Sequence, residues 1–331
     1  MDVRPTPEQA ALRAAAAQLA TRLGPQAVGQ LSDVERTDKL DAALAATGWR
    51  DLRADAGDGA PWATGVEVAI VAEELARGLV DAAFLGPTLA ADLRRLSSAP
   101  DAEVRETVGL APDLSGCAEP GGPAVAIDVA GASSALLLGS DGIVRAVALD
   151  LAPRPGGVDL TRPTRRLADA SGAIVGELDP DDGRRWTALA LATTTADLVG
   201  TMQAALDLSV GYAKERSQYG VPIGSFQAVG HLLADALVHL EGSRTALLHA
   251  AWAVDALEPD GAVAATASAK AYASRAARQV CEIAIQVHGG IGNTWECLAH
   301  LHLRRSLLAT DVLGGVGPNL ARVLDHAGVG A

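Results

Sequence analysis

Apolar residues recur at helical spacing over the first hundred positions, give way to short β-rich runs in the middle, and return to helical spacing from about residue 180. Thr6-Pro7-Glu8-Gln9 has the form of a capping box with Pro in the first turn, and Leu12, Leu19 and Leu23 mark one face before Gly24 stops the helix. Helices are predicted over about 38–46, 65–77 and 88–97. In the run from Trp62 to Gly78, Val68, Val71, Ala72 and Leu75 form the apolar stripe, with Glu73 and Glu74 beside it. From about residue 115 the period changes: Ala135–Gly139 and Ile143–Ala148 flank Ser140-Asp141-Gly142, which predicts a hairpin. Short strands are expected over 165–168 and 173–178.

Pro180-Asp181-Asp182 then opens a helical pattern that runs to about Glu215, roughly 50 Å at 1.5 Å per residue. Such length fits the first of four bundled helices, the others near 226–257, 261–288 and 295–312. Glu258-Pro259-Asp260-Gly261 is the expected turn between the second and third, Ser225 the expected cap of the second, and Gly289-Gly290 the expected end of the third. The fold class is therefore α+β: an N-terminal helical domain over 1–112, a small β-domain over 113–180 and a C-terminal four-helix bundle over 181–331.

Composition narrows the partners. The 331 residues carry a net charge of -13, which argues against nucleic acid or an anionic membrane as the binding surface. Of 27 basic residues only Lys39, Lys214 and Lys270 are lysines, a bias that points to GC-rich coding rather than to function. Cys117, Cys281 and Cys297 form no close pair, so neither a disulfide framework nor a metal knuckle is suggested, and a reducing cytoplasm is expected. The Ala14–Ala17 run, broken by Arg13 and Gln18, lacks the leucine-rich core of a signal peptide, and no apolar run reaches the ~20 residues that span a bilayer.

Two segments carry the chemistry. The first runs Arg216-Ser217-Gln218-Tyr219-Gly220-Val221-Pro222-Ile223-Gly224-Ser225-Phe226-Gln227, and the second, sixty residues on, Gln286-Val287-His288-Gly289-Gly290-Ile291-Gly292. Each alone is an ordinary loop. Together they hold an arginine fork suited to pyrophosphate, aromatic faces suited to adenine, and glycine N–H groups suited to phosphate or ribityl oxygens.

On these two segments the chain resembles the acyl-CoA dehydrogenase flavoproteins, over nearly its whole length. The resemblance implies FAD as cofactor, with Arg216, Gln218, Tyr219, Gly220, Phe226, Gln227, Gln286, Val287, His288, Gly289, Gly290 and Gly292 as cofactor contacts. It also implies the reaction: a proton leaves the carbon next to an acyl thioester and a hydride leaves the adjacent carbon for the flavin, giving an enoyl-CoA. A carboxylate base is required. Most of the family carry it as Glu before a Gly-Thr pair; stepping from Gly289 through Arg304 puts Leu313 there, followed by Gly314-Gly315. A minority carry it on the first bundle helix, and that position falls on Leu189. Both are apolar, so no catalytic residue is assigned. The flavin-lining region is also reduced: Cys117-Ala118-Glu119-Pro120-Gly121-Gly122 keeps only Glu-Pro-Gly of the family pattern, and the central domain looks several tens of residues short.

In the resembled fold the Arg loop and the Gly-Gly segment reach FAD seated mainly in the neighbouring subunit. A chain without its own base is then still essential to a partner. The run from Gly289 through Trp295-Glu296 to Arg304-Arg305 resembles the non-catalytic subunit of actinobacterial α2β2 acyl-CoA dehydrogenases, some of which act on steroid side-chain thioesters. The implied partners are a homologous catalytic subunit, an acyl-CoA and an electron-transfer flavoprotein. Two other roles stay open: a homotetramer with a relocated base, and a flavin-free scaffold. Asp311 is two residues from Leu313, but at helical spacing it faces elsewhere. His288 reads equally as a helix-end histidine bonded to the backbone. Trp186, Trp252 and Trp295 are expected to pack, Glu241 and Glu296 to be ordinary helix charges, and His231, His239 and His249 to bind no metal.

Overall fold

The computed structural model describes residues 4–150 and 157–329. Helices α1 (Pro7–Leu23), α2 (Val34–Ala46), α3 (Gly65–Arg77) and α4 (Leu85–Leu96) come first. The capping box at Thr6 forms as its sequence demands: Thr6 accepts from Gln9 N–H and Gln9 accepts from Thr6 N–H. Glu73 and Glu74 are buried on α3, where Arg13 of α1 binds both and Arg244 binds Glu73.

Six strands follow: β1 (Glu106–Leu110), β2 (Ala124–Ile127), β3 (Ser134–Leu138), β4 (Ile143–Ala148), β5 (Arg165–Leu167) and β6 (Ala173–Glu177). They make one sheet in the order β5-β2-β1-β3-β4-β6, with only the β1–β3 pair parallel. The hairpin around Asp141-Gly142 is β3–β4, with Gly142 at φ +79° where a left-handed residue is needed. Strand β1 lies ahead of residue 113, where the sequence pattern starts the β-rich part; Glu106–Leu110 is buried throughout and shows no alternation.

Helix α5 (Pro180–Glu215) is the axis of the molecule, nearly all buried from Ala188 to Met202. Such a helix must satisfy its polar side chains internally, and Thr193, Thr194, Thr195 and Ser209 each donate to the carbonyl four residues back. Asp197, fully buried, pairs with Arg162 and Arg305; Arg305 also donates to the Val80 carbonyl and the Thr161 hydroxyl, both at 3.0 Å. That knot ties the sheet's connecting loop and the N-terminal helices to the bundle, and the two guanidinium groups lower the Asp197 pKa against the upward push of burial.

The two-residue strands β7 (Ser217–Gln218) and β8 (Val221–Pro222) then lead to α6 (Gln227–Ala256), α7 (Pro259–His288), α8 (Ala299–Asp311) and α9 (Val316–His326). Several expectations change here. Ser225 does not cap α6: its hydroxyl donates to Pro222 O, and Phe226 holds the N-cap position without a side-chain bond. Pro259 is already helical, so the α6–α7 connection is Leu257-Glu258, shorter than Glu258-Pro259-Asp260-Gly261. A fifth C-terminal helix, α9, is present where Gly314, Gly315, Gly317 and Pro318 suggest a loop; Pro318 sits in its first turn, where no intrahelical N–H is lost. No helix among the described residues is long and apolar enough to cross a membrane.

Candidate cofactor-binding rim and its interior counterpart

Arg216 caps the C-terminus of α5, its N–H donating to Tyr212 O at 2.8 Å. The chain turns back at once through β7 and β8, with Tyr219 (φ +52°) and Gly220 (φ +82°) forming the left-handed pair that a tight hairpin requires. Ile223 N–H closes the loop onto Arg216 O at 2.8 Å, and Gln218 Nε2 donates to Ser217 O at 2.9 Å. Tyr219 is 95% exposed and meets Phe226 edge to face at 6.3 Å between centroids. Gln227 is exposed at the first turn of α6. The Arg216 guanidinium is exposed and has no acidic partner among the described residues.

The second segment lies against the first. His288, the last residue of α7, stacks on Tyr212 of α5 with ring centroids 4.5 Å apart and planes at 22°. Its Nδ1 is 2.7 Å from the Ala284 carbonyl oxygen, so His288 is both a helix-end histidine bonded to the backbone and the bracket that holds the two loops together. Gly289 ends α7 at φ +64°, its N–H donating to the Gln286 and Ile285 carbonyls; neither it nor Gly290 has a neighbouring atom within 4 Å of where a Cβ would stand, so the surface above both glycines is open to a ligand. At Gly292 a Cβ would stand 3.0 Å from His288 Cβ and Ile285 O, tighter than ordinary van der Waals contact, so a larger residue would press on the end of α7. Gln286 is exposed beside this turn, whereas Val287 and His288 are buried beneath it.

An unpaired guanidinium, two exposed aromatic rings and an open glycine backbone are a donor set that fits an anionic, ring-bearing ligand such as the adenosine pyrophosphate of a dinucleotide. Sequence reasoning missed Tyr212, whose only signal is its place one helical turn before Arg216. It also misjudged Trp295, which is 67% exposed and meets the His300 ring edge-on at 5.2 Å between centroids, instead of packing in the core; Trp186 does pack, its Nε1 donating to Leu89 O at 3.1 Å.

The interior counterpart does not fit such a group. Leu189 and Leu313, at 0% and 2% exposure, belong to the main apolar core. Asp311 is exposed on the last turn of α8, and burial of part of its carboxyl raises its pKa despite the attraction of Lys270. The stretch 111–116, which leads into Cys117–Gly122, is bonded directly to the segment that carries Leu313 and to α9: Leu313 N–H donates to Leu114 O at 2.7 Å, and Arg322 donates to Ser115 O at 3.1 Å. No cluster of three metal-ligating side chains occurs among the described residues. His302 is buried, and burial with neighbouring Arg305, His288 and His300 pushes it down to about 3, so it is neutral at physiological pH.

Residues 190–317 match the family model for the acyl-CoA dehydrogenase C-terminal domain. The chain is 35% identical over 254 residues to acyl-CoA dehydrogenase IpdE2 of Mycobacterium tuberculosis, covering 72% of this chain and 71% of that protein. Among solved structures, the Tcur3481-Tcur3483 steroid acyl-CoA dehydrogenase (G363A variant) superposes with a TM-score of 0.82 at 23% identity over 98% of both chains. The ChsE4-ChsE5 complex of M. tuberculosis does so with a TM-score of 0.82 at 23% identity over 99% of both.

Proposed function

Because the chain belongs to the acyl-CoA dehydrogenase family of FAD-dependent oxidoreductases, we propose that it is the subunit of a heteromeric enzyme that completes a partner's FAD site and supplies no catalytic base of its own. The carrying observation is the contrast between an intact outer rim and an apolar, closed interior at both base positions. Bound FAD supplies the acceptor for the hydride leaving the acyl chain. This chain's contribution is to bind and orient. Arg216 would hold the pyrophosphate with its planar fork, Tyr219 and Phe226 would offer ring surface to the adenine, and the open backbone turn at Gly289 and Gly290 would let phosphate or ribityl oxygens approach closely; Gln218, Gln227 and Gln286 would add amide donors around them. Tyr212 and His288 hold the two loops in register.

A homologous partner is supported by the likeness to the ChsE4-ChsE5 complex, two named proteins in one assembly, and a steroid side-chain or similarly bulky acyl-CoA by the likeness to a steroid acyl-CoA dehydrogenase. An electron-transfer flavoprotein is the corresponding electron acceptor of the assembly. The test is purification of the chain with and without a homologous chain that retains the Glu-Gly-Thr turn. The expected outcome is a yellow, active complex and a colourless chain alone. A yellow homo-oligomer that oxidises acyl-CoA by itself would refute the reading and move the base elsewhere in this chain.

A further inference from the structure

The turn at 311–315 is held by side chains that nothing in the cofactor rim uses. Lys270, completely buried on α7, donates to Thr310 O at 2.8 Å, Gly314 O at 3.1 Å and Ser274 Oγ at 3.3 Å. From α9, Asn319, also completely buried, donates to Gly314 O at 2.6 Å, Gly315 O at 2.9 Å and Leu313 O at 3.4 Å. Arg322 donates to Leu313 O at 2.8 Å through Nη1 and to Ser115 O at 3.1 Å through Nη2. Neither Lys270 nor Arg322 has an ion-pair partner among the described residues; Lys270 donates to neutral acceptors of α7, α8 and the 311–315 turn, and Arg322 to Asn319 and to both turns.

The backbone of those turns is strained on both sides of the junction. Leu313 has φ +61° and Leu114 has φ +63°, and the Leu313 N–H to Leu114 O bond joins one to the other. A bulky residue in the left-handed region costs on the order of 1–3 kcal/mol and persists only where its surroundings dictate it. Here two such residues face each other where the turn carrying Leu313 meets the turn that leads into Cys117–Gly122.

We propose that Lys270 and Asn319 fix the 311–315 turn and that Arg322 clamps it onto the 111–116 turn, a latch that keeps shut the cleft in which this subunit would otherwise hold a flavin ring and an acyl chain. The proposal rests on the partner-completing reading above. The latch accounts for the inverted polarity of α9, which turns Asn319 and Arg322 inward and leaves Val316, Leu320 and Leu324 exposed. It also means that loss of the base is not the only barrier to catalysis in this subunit: a carboxylate restored at residue 313 would stand at a closed junction.

Hydrogen exchange on the chain in complex with its flavin-bearing partner reads the latch. In the wild type, the Leu313 amide and the protected amides of 111 and 113–116 report one common opening free energy across a denaturant series, because a single opening frees both. In Asn319→Ala and in Arg322→Gln both segments speed up together, tenfold or more, while α6 keeps its protection. Acceleration confined to 311–315, with 111–116 unchanged, overturns the latch. Independent opening of the two segments in the wild type also overturns it, and that measurement needs no variant to fold. Flavin content of the same wild-type sample tests the underlying reading separately: one FAD per subunit pair agrees with it, and two per pair sinks it whatever the exchange rates.

Discussion

Lys270 makes a quantitative prediction about pH. Its ammonium is completely buried, and desolvation pulls its pKa from 10.5 down to about 7, with Asp311 and Asp197 raising it and Arg322 lowering it further. Between these two values the unfolded chain binds more protons at this site than the folded one, so folding stability rises with pH across that window and is flat in this term below about 7. The 3.5-unit difference corresponds to an upper limit of about 5 kcal/mol at 1.36 kcal/mol per unit. The three acceptors around Nζ favour the charged amine, so a gain of roughly 2–4 kcal/mol is the expected size. Chemical denaturation of the wild type and of Lys270→Met at pH 6 to 10 isolates the effect, since other titrating groups cancel in the difference. The wild type should gain on the variant from pH 7 upward and run parallel to it below. A difference that stays constant from pH 6 to 10 would show that Lys270 keeps an ordinary pKa and that its burial is compensated by its hydrogen bonds.

Arg216→Ala should lower FAD affinity of the assembled complex at least tenfold, since a charge-assisted pair with a desolvated phosphate contributes about 1.5–3 kcal/mol, and Arg216→Lys should recover only part of it; unchanged flavin content in the Ala variant would give Arg216 a structural role. Leu313→Glu should leave turnover of the complex unchanged and lower its thermal midpoint, because an unpaired carboxylate in the apolar core costs several kcal/mol or takes up a proton; new turnover in a complex whose partner base has been removed would show an interior flavin site to be intact. Gly200→Ala should destabilise the chain by about 1–3 kcal/mol, because its Cβ would overlap the Glu73 carbonyl where α3 crosses α5; a denaturation midpoint matching the wild type would mean that the two helices separate freely.

Local signals account for most of what the sequence determined. The capping box at Thr6, the hairpin at Asp141-Gly142 and the unbroken pattern from Pro180 to Glu215 depend on neighbours within a few residues, so they read directly from the chain. The Arg216 and Gly289 segments were legible for the same reason: turn chemistry and donor type are properties of short stretches. Strand β1 and helix α9 were not. The former is buried on both faces and lacks alternation; the latter begins among glycines, and its leucines face outward because Asn319 and Arg322 are bound by carbonyls of a distant turn. Leu189 and Leu313 put apolar residues at the two positions where the resemblance would place a base. That the interior is closed, that Tyr212 and His288 bracket the rim, and that Lys270 bonds two carbonyls from α8 and its following turn were decided only by tertiary structure, since each joins groups 40 or more residues apart. Such contacts depend on how whole helices pack, and packing leaves no periodic trace in the sequence.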